Sequence, residues 1–458
     1  MAAARRAAGY TQEGLAEALR VDRTTVAIWE SGEHEPLPHM RPLLAGALGV
    51  DVAGIDSLIN ESALPFPPRG GAPDQEWGRG ADERVRRSQE EWLAVRAAVR
   101  GRDRELSELA AWLYPESMRG PGGHMLVGEG WLLDTPVPLE DVRLEFDDSH
   151  PAPPALDVSL DHVLPLTDRG DRYLSFSRAV RDLVRPRLLE NRVSYRLLGV
   201  SADDGLTLRF GTTTFFEVFD VKEYVVHEFK RAFLRSGGSA PRLRDLPIRA
   251  SVSDPLDPAR WLMSPGVSTL TIRHDPVAGH RFVMHQRDSS AVADGGGMCT
   301  VMPGGEFQPS TMATANVRND FSLWRNIMRE YSEEFLGNPE HDGTGTRVID
   351  YAREEPFAAF EEARAAGAFR LWHYGLIMDA LSLGPTQRTV AVIDAPTYDT
   401  LFRDLVRTND EGHVIGESGR VDMPFTADAV DRLQARMSSG SASLLRMAWR
   451  DRHLLLAD

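Results

Sequence analysis

The sequence predicts a chain of several domains, in which a small all-α head precedes a larger region of mixed strands and helices, of the α/β or α+β class. Three observations lead to this expectation. The chain has 458 residues, enough for about three average domains. The first 60 residues place apolar side chains at helical spacing, whereas strand-like and helix-like patterns alternate from residue 124 onwards. Residues 65–73, rich in proline and glycine, separate the two parts.

Composition limits the classes of protein to which the chain can belong. Hydrophobic residues make up 42% and charged residues 26%, as in ordinary globular domains. No apolar run approaches the ~18 residues of a membrane-spanning helix, so we expect no membrane partner. Cys299 is the single cysteine, which excludes an intrachain disulfide and a cysteine-rich zinc site. Because the first residues also lack the apolar core of a secretory signal, we predict a cytoplasmic location.

Charge argues against one kind of nucleic-acid-binding protein. Lysine and arginine number 52 and aspartate and glutamate 68, which gives a formal net charge of −16. A uniformly basic surface is therefore excluded. A local DNA-binding module is not, because net charge acts on solubility and steering and does not determine what a single site binds.

The patterns along the chain divide it into five segments. We expect a helical head at residues 1–60, a linker at 61–81, a connector helix at 82–115, an α/β intermediate region at 116–260 and a last domain at 261–458. Apolar residues of the connector recur at about 3.6-residue spacing, with a break expected at its only internal glycine. The intermediate region carries no motif that assigns it a function.

The head reads as three short helices joined by tight turns. Thr11 is a suitable N-cap for the first helix, and Asp22 for the second. Gly32 ends the second helix as a C-cap. The apolar residues at helical spacing are Leu15, Ala16, Leu19, Val26, Trp29, Met40, Leu43, Leu44 and Leu48.

Two short helices, of which the second is apolar on one side only, are typical of a helix-turn-helix. The free side of that second helix can enter the major groove of DNA. Arginine there can bond guanine, threonine can bond a base or a phosphate, and isoleucine can contact a thymine methyl group. Gln12 begins the first helix and is placed for a backbone phosphate. The predicted DNA-binding residues are Gln12, Arg23, Thr24, Thr25, Ala27 and Ile28.

Residues 5–50 resemble the Cro/C1-type (XRE) helix-turn-helix family. The resemblance implies a transcriptional regulator that binds double-stranded DNA, and a helix-turn-helix used for protein contacts is the alternative. Because one short, non-basic head makes few phosphate contacts, we expect a homodimer on a two-fold symmetric site. The matching residues are Thr11, Gln12, Leu15, Ala16, Leu19, Val21, Thr24, Thr25, Val26, Trp29, Glu30, Gly32, Pro36, Leu48 and Gly49.

A second pattern places three carboxylates on one helix. The sequence predicts a helix over 321–337, in which Glu330, Glu333 and Glu334 share one face. Clustered like charges destabilise a helix unless a cation neutralises them. Oxygen ligands suit Mg²⁺ or Mn²⁺, and such an ion can hold a diphosphate. A solvated acidic face is the alternative.

Residues 301–337 resemble the Nudix box. Arg329 to Glu334 match its helical half, the Pro303–Gly305 turn matches its beginning, and the strand that ends at Arg287 matches the strand before it. The resemblance implies a Nudix-like mixed sheet with helices in residues 261–458. It also implies Glu330, Glu333 and Glu334 as metal ligands, with Mg²⁺ or Mn²⁺ as the cofactor. The expected ligand-binding residues are Gly304, Gly305, Arg287 and Arg329.

One departure from the Nudix box concerns its upstream glutamate. Counting from Gly305 reaches Thr311, and counting back from Arg329 reaches Phe321, so neither position carries a carboxylate. We therefore expect a regulator whose C-terminal region senses a nucleoside-diphosphate-type ligand and which is not an enzyme. The alternatives are a Mg²⁺-dependent Nudix pyrophosphohydrolase with a regulatory helix-turn-helix, and a dimerisation scaffold that binds no ligand.

Overall fold

A computed structural model describes parts of the head and most of the remaining chain. Its described residues are 2–8, 10–19, 21, 26, 29–30, 36, 40–50, 55, 76–99, 102–149, 151–186, 189–287, 298–311, 313–339, 347–406, 408–409, 412–415 and 422–457.

Short helices surround a small apolar core in the head. The Thr11 Oγ1 accepts a hydrogen bond from the Gly14 amide at 2.9 Å, which confirms the predicted N-cap. Val26, Leu44 and Ile55 are fully buried, so apolar residues far apart in sequence share one core. The helices are α1 (Ala2–Ala7), α2 (Gln12–Leu19) and α3 (Met40–Leu48). The buried core consists of Leu15, Ala16, Leu19, Val26, Trp29, Met40, Leu44, Ala45, Leu48 and Ile55.

The predicted connector forms two helices, α4 (Glu76–Ala97) and α5 (Asp103–Ala111). Trp92 of α4 is 3% exposed, and its indole nitrogen donates to the Val163 carbonyl at 3.1 Å. The connector is therefore packed into the C-terminal region and is not a solvated spacer.

One large mixed sheet organises the C-terminal region. Its strands are β1 (Met125–Leu126), β2 (Leu132–Pro138), β6 (Gly266–His274), β7 (Arg281–Phe282), β10 (Gly304–Gly305), β11 (Phe369–Asp379), β12 (Pro385–Asp394) and β15 (Met423–Pro424). They follow the order β1–β11–β12–β6–β7–β15, with β2 added beside β11 and β10 beside β6. Strands β6 and β12 are parallel, and the other pairs are antiparallel.

Two smaller sheets flank the large one. Their strands are β3 (Arg143–Phe146), β4 (Val193–Ser201), β5 (Thr207–Thr214), β8 (Met284–Arg287), β9 (Cys299–Val301), β13 (Thr408–Asn409) and β14 (Gly412–Ile415). One sheet has the order β13–β14–β8–β9, and the other the order β3–β5–β4.

Helices cover both faces of the large sheet. On β12, Ala391 and Ile393 belong to one core, and Val390 and Val392 belong to a second core on the opposite face. The helices of this region are α6 (Phe176–Leu183), α7 (Phe215–Arg235), α8 (Pro247–Ser251), α9 (Thr314–Asn319), α10 (Leu323–Glu330), α11 (Phe357–Ala365), α12 (Ala395–Leu401), α13 (Ala427–Leu433), α14 (Ser439–Arg450) and α15 (Arg452–Leu455).

Helix α10 contributes to the first core and α14 to the second. The first core continues from Trp92 to Phe402 without a division at residue 260. Strands β1 and β2, from the intermediate segment, pair with β11. The C-terminal region therefore has the mixed α+β class that the sequence predicts, and its intermediate segment shares a sheet and a core with residues 261–458.

Two predicted elements differ from the structure. Residues 281–287 form two strands in two sheets, β7 and β8. Finally, the helix predicted over 321–337 consists of α10 followed by a π-helical turn at Tyr331–Phe335. None of the described helices combines the length and apolar composition needed to cross a membrane.

Candidate functional site

The Gly304–Gly305 strand lies directly against the end of helix α10. Gly304 pairs with Ser268 and Gly305 with Val267 at the edge of the sheet. A Cβ atom at Gly305 would lie 2.3 Å from both carboxylate oxygens of Glu330. Only glycine leaves room for that carboxylate, so the sequence of the turn determines where Glu330 sits.

A backbone hydrogen bond ties a second carboxylate to the same turn. The Gly304 amide donates to the Glu334 Oε1 at 3.2 Å. The π-helical turn widens the helix after Glu330, and the Leu336 amide donates to the Tyr331 carbonyl at 3.3 Å. Because a π-helical turn has more residues per turn than an α-helix, Glu333 and Glu334 project at different angles from those expected in a regular α-helix. Nevertheless, Glu330, Glu333 and Glu334 all line one cavity.

A cavity of about 920 Å³ lies where strands β6 and β12 begin. Gly304, Gly305 and the three glutamates form one wall, and the first turn of α14 forms another. Basic side chains also line the cavity, although the sequence motif predicts only its acidic residues. They are Arg104, Arg192, Lys222, Arg329 and Arg388. The cavity thus combines carboxylates with cations, as a site for a metal-bound anion requires.

The carboxylates of this wall have the oxygen chemistry that Mg²⁺ and Mn²⁺ prefer. Gly305 provides a cradle for Glu330 that any larger residue would fill. Within the described part of the chain, no group of three or more histidine, cysteine, aspartate or glutamate residues is arranged to hold a metal ion. The oxygen donors therefore suit such an ion, but their side chains are not drawn together around one point.

Arg329 is held by the protein and does not point freely into the cavity. It is 4% exposed, and it donates to the Tyr351 hydroxyl at 2.7 Å and to the Asn326 Oδ1 at 3.0 Å. Burial opposes its charge, but Tyr351 and Asp320 outweigh burial and raise the pKa of the guanidinium above its ordinary value. Its buried network positions α10 against the preceding loop.

Thr311 and Phe321, at the two positions where the Nudix box would carry its upstream carboxylate, make contacts of other kinds. The Thr311 hydroxyl accepts a hydrogen bond from the side-chain amide of Asn316 at 2.6 Å. Phe321 packs edge-on against Phe146, with ring centroids 5.0 Å apart. Glu306, which comes directly after the glycine turn, does line the cavity, and its Oε1 lies 4.0 Å from the Lys222 Nζ.

Sequence patterns do not single out Lys222, Glu306 or Arg388. Lys222 is one of two lysines in the chain, which is a compositional signal but not a positional one. Arg388 lies between Gln387 and Thr389 on β12, so no alternation of apolar and polar residues marks its side chain as buried. Arg287 is a ligand-binding residue in the sequence-based prediction. Its backbone pairs with Gly412, and its side chain lies outside the described part of the structure.

The head consists of short helices with a shared apolar core. Residues 1–55 match a family model described as helix-turn-helix. The head is a helix-turn-helix domain. This match confirms the XRE-type resemblance that the sequence indicates for the N-terminal segment.

Comparison with other proteins adds little beyond the helix-turn-helix domain. The crystal structure of a NUDIX hydrolase from Alicyclobacillus acidocaldarius is 16% identical, covers 40% of this chain and 90% of its own, and has a TM-score of 0.24. A likeness this weak does not establish the fold of the C-terminal region. No curated protein matches the chain.

Within the helix-turn-helix domain, the side chain of Gln12 contacts Glu30. Its amide donates to the Glu30 Oε2 at 2.8 Å, and Arg5 forms an ion pair with the same carboxylate at 2.6 Å. Burial opposes the charge of Glu30, but Arg5 and Gln12 together lower the pKa of Glu30. Gln12 therefore begins α2 as predicted and is oriented by a partner from another helix. The other predicted DNA-binding residues lie outside the described residues: Arg23, Thr24, Thr25, Ala27 and Ile28.

Two glycine substitutions at the cavity are expected to separate effects on Glu330 from effects on the backbone. In Gly305→Ala, the new methyl group displaces only the flexible end of Glu330, at a cost of about 1 kcal/mol or less. In Gly266→Ala, the Cβ atom would lie 2.7 Å from the Gly305 carbonyl oxygen, so backbone must move and we expect a loss of about 1–3 kcal/mol. Urea unfolding of both variants measures the difference. Equal destabilisation would contradict the placement of Glu330.

Proposed function

We propose that the protein is a cytoplasmic, DNA-binding transcriptional regulator whose C-terminal region binds a nucleoside-diphosphate-type ligand. One observation carries the proposal: the chain joins a helix-turn-helix domain to a cavity of about 920 Å³ with acidic and basic walls. A cavity of this size suits a small organic ligand. The cations match phosphoryl oxygens, and the carboxylates match a divalent ion bound to them.

We assign the acidic wall to a Nudix-like domain that holds Mg²⁺ or Mn²⁺ through Glu330, Glu333 and Glu334. The motif from Arg329 to Glu334, and the attachment of Glu334 to the Gly304 amide, support this assignment. A divalent ion there would neutralise a diphosphate and attach it to the helix. Since Thr311 and Phe321 supply no further carboxylate, we expect slow hydrolysis or none.

We further propose that the regulator binds DNA as a homodimer. The segment from residue 5 to residue 50 contains five arginines and six acidic residues. Because phosphate contacts supply most of the non-specific affinity, one such domain binds weakly. Two domains on half-sites about one helical turn apart would combine their contacts.

The metal assignment predicts a specific result for Glu334→Gln. The amide is nearly isosteric with the carboxylate and can still accept from the Gly304 amide, so without metal the unfolding free energy should change by less than about 0.5 kcal/mol. In the wild type, Mn²⁺ at tenfold its dissociation constant should stabilise by about 1.4 kcal/mol. The variant should lose this stabilisation, as measured by thermal unfolding with Mn²⁺ and with EDTA.

The matched control is Glu362→Gln, which alters an exposed glutamate of α11 outside the cavity wall. It should keep the full response to Mn²⁺. DNA binding is measured in the same samples, by footprinting of the region upstream of the protein's own gene with and without Mn²⁺ and ADP-ribose. A ligand-dependent change in DNA affinity supports a sensor. Rapid Mg²⁺-dependent release of AMP would instead support a hydrolase. If neither metal nor nucleotide has an effect, the result supports a dimerisation scaffold that binds no ligand.

A further inference from the structure

The side chain of Arg388 is buried in the cavity wall. Arg388 lies on β12 and is 5% exposed. Within the described part of the chain, its buried Nε has no hydrogen-bond partner. Among the residues that the structure describes, no ion pair within 4.0 Å reaches it, and the nearby Asp379 is occupied by hydrogen bonds from Ser107 and Ser382.

This guanidinium lies against the first turn of helix α14. A Cβ atom at Gly440 would lie 2.1 Å from the Arg388 Nη2. The neighbouring Ser439 is 7% exposed, and its buried hydroxyl has no hydrogen-bond partner among the described residues. Helix α14 spans 12 residues, and the first amides of an α-helix have no acceptor within the helix. Ser439, Gly440 and Arg388 all line the cavity, so the Arg388 guanidinium, the Ser439 hydroxyl and the first turn of α14 meet at one place.

Burial does not remove the charge of Arg388. Burial lowers the pKa of Arg388 to about 10, although Asp379 acts in the opposite direction. The side chain therefore remains a cation at neutral pH. A buried charge that lacks a partner is costly, and an anion that supplies acceptor oxygens removes most of that cost.

The sheet places this guanidinium near the acidic wall. Arg388 is the register partner of Ser268 on β6, and Ser268 is the partner of Gly304 on β10. Two strand spacings make the distance between the Arg388 and Gly304 backbones about 10 Å. One ligand with two charged groups can therefore reach both the glycine turn and Arg388.

We propose that Arg388, Ser439 and the amino-terminal turn of α14 form a subsite for a phosphoryl group. This subsite rests on the proposed function, because the ligand is taken to be a nucleoside diphosphate. It places the phosphoryl group of that ligand beside α14, on the face of the large sheet opposite to α10. Arginine supplies paired donors to the oxygens, and the helix start supplies amides and a positive dipole end. No metal is needed at this subsite, so an anion should bind there in EDTA.

The test compares ADP, inorganic phosphate and adenosine as probes of the full chain in EDTA, by calorimetry. We expect the wild type to bind ADP and, more weakly, phosphate. In Arg388→Gln, ADP affinity should fall at least tenfold, and adenosine binding should be unchanged. The control is Arg446→Gln, which removes the same charge from an exposed position on α14 outside the cavity wall. It should bind ADP as the wild type does.

Ser439→Asp tests the subsite without deleting the buried charge. A carboxylate at the start of α14 should pair with Arg388, raise the melting temperature and abolish phosphate binding. The Ser439→Asp variant therefore still tests the subsite if Arg388→Gln does not fold. The subsite is refuted if Arg388→Gln and Arg446→Gln bind ADP equally, or if Ser439→Asp still binds phosphate. Those results leave the proposed function intact. If the wild type binds neither ADP nor phosphate, even with Mn²⁺, then the subsite and the proposed nucleoside-diphosphate ligand are both refuted.

Discussion

Replacing Arg329 with methionine is expected to destabilise the C-terminal region by about 3 kcal/mol or more. The guanidinium bonds Tyr351 and Asn326, and it lies 3.9 Å from the fully buried Asp320. Methionine fills much of the volume but leaves a buried carboxylate without its counter-charge. Urea unfolding should show a lower midpoint with an unchanged slope, because the surface exposed on unfolding stays the same.

Arg353→Met provides the comparison for this result. The side chain of Arg353 is 87% exposed, so its replacement should change the unfolding free energy by less than about 0.5 kcal/mol. If both substitutions cost the same, Arg329 does not act through its buried contacts. Unimpaired stability together with lost ADP binding would instead return Arg329 to the direct ligand-binding role that the sequence suggests.

Trp29→Ala is expected to unfold the helix-turn-helix domain and to abolish DNA binding. Trp29 is 6% exposed in a core of few residues, and removing a buried tryptophan side chain costs about 3–5 kcal/mol. A domain of this size buries little surface and has little stability in reserve. We therefore expect operator affinity to fall more than a hundredfold, while ADP binding by the C-terminal region remains. Gel-shift titration and calorimetry on the same sample measure both.

The matched substitution is Trp112→Ala, since the exposed fraction of Trp112 is 71%. It should leave DNA affinity unchanged. Wild-type operator affinity in Trp29→Ala would show that DNA contacts come from another part of the chain. The same result would remove the basis for assigning Arg23, Thr24 and Thr25 to base recognition.

Local periodicity predicts most of the core of the head, although Leu43, at the same spacing, is 55% exposed. Val26, Trp29 and Leu44 recur at helical spacing and are buried as expected. The apolar runs within β11 and β12 have the pattern of strands buried on both faces, which are nearly continuous in apolar residues. These features depend on neighbours in the sequence, which are visible without a structure.

Features that depend on distant contacts cannot be predicted in the same way. The π-helical turn after Glu330 arises where Tyr331 and Phe335 pack into the core, and no residue type specifies it. Arg388 lies in a polar stretch of β12, and its contact with Gly440 of α14 joins residues far apart in the sequence. The motif predicts the glutamates, but the opposite wall of the cavity comes from residues more than a hundred positions away along the chain.

The continuous core from Trp92 to Phe402 also determines which parts of this protein can be exchanged between genes. A recombination that cut near residue 260 would divide a sheet, because β1 and β2 would lose their partner β11. A cut ahead of α4 would keep every described strand with its neighbours. The part that can be transferred whole therefore begins at the connector helix, and a chimera that gives it a new amino-terminal head should be joined on the amino-terminal side of Trp92.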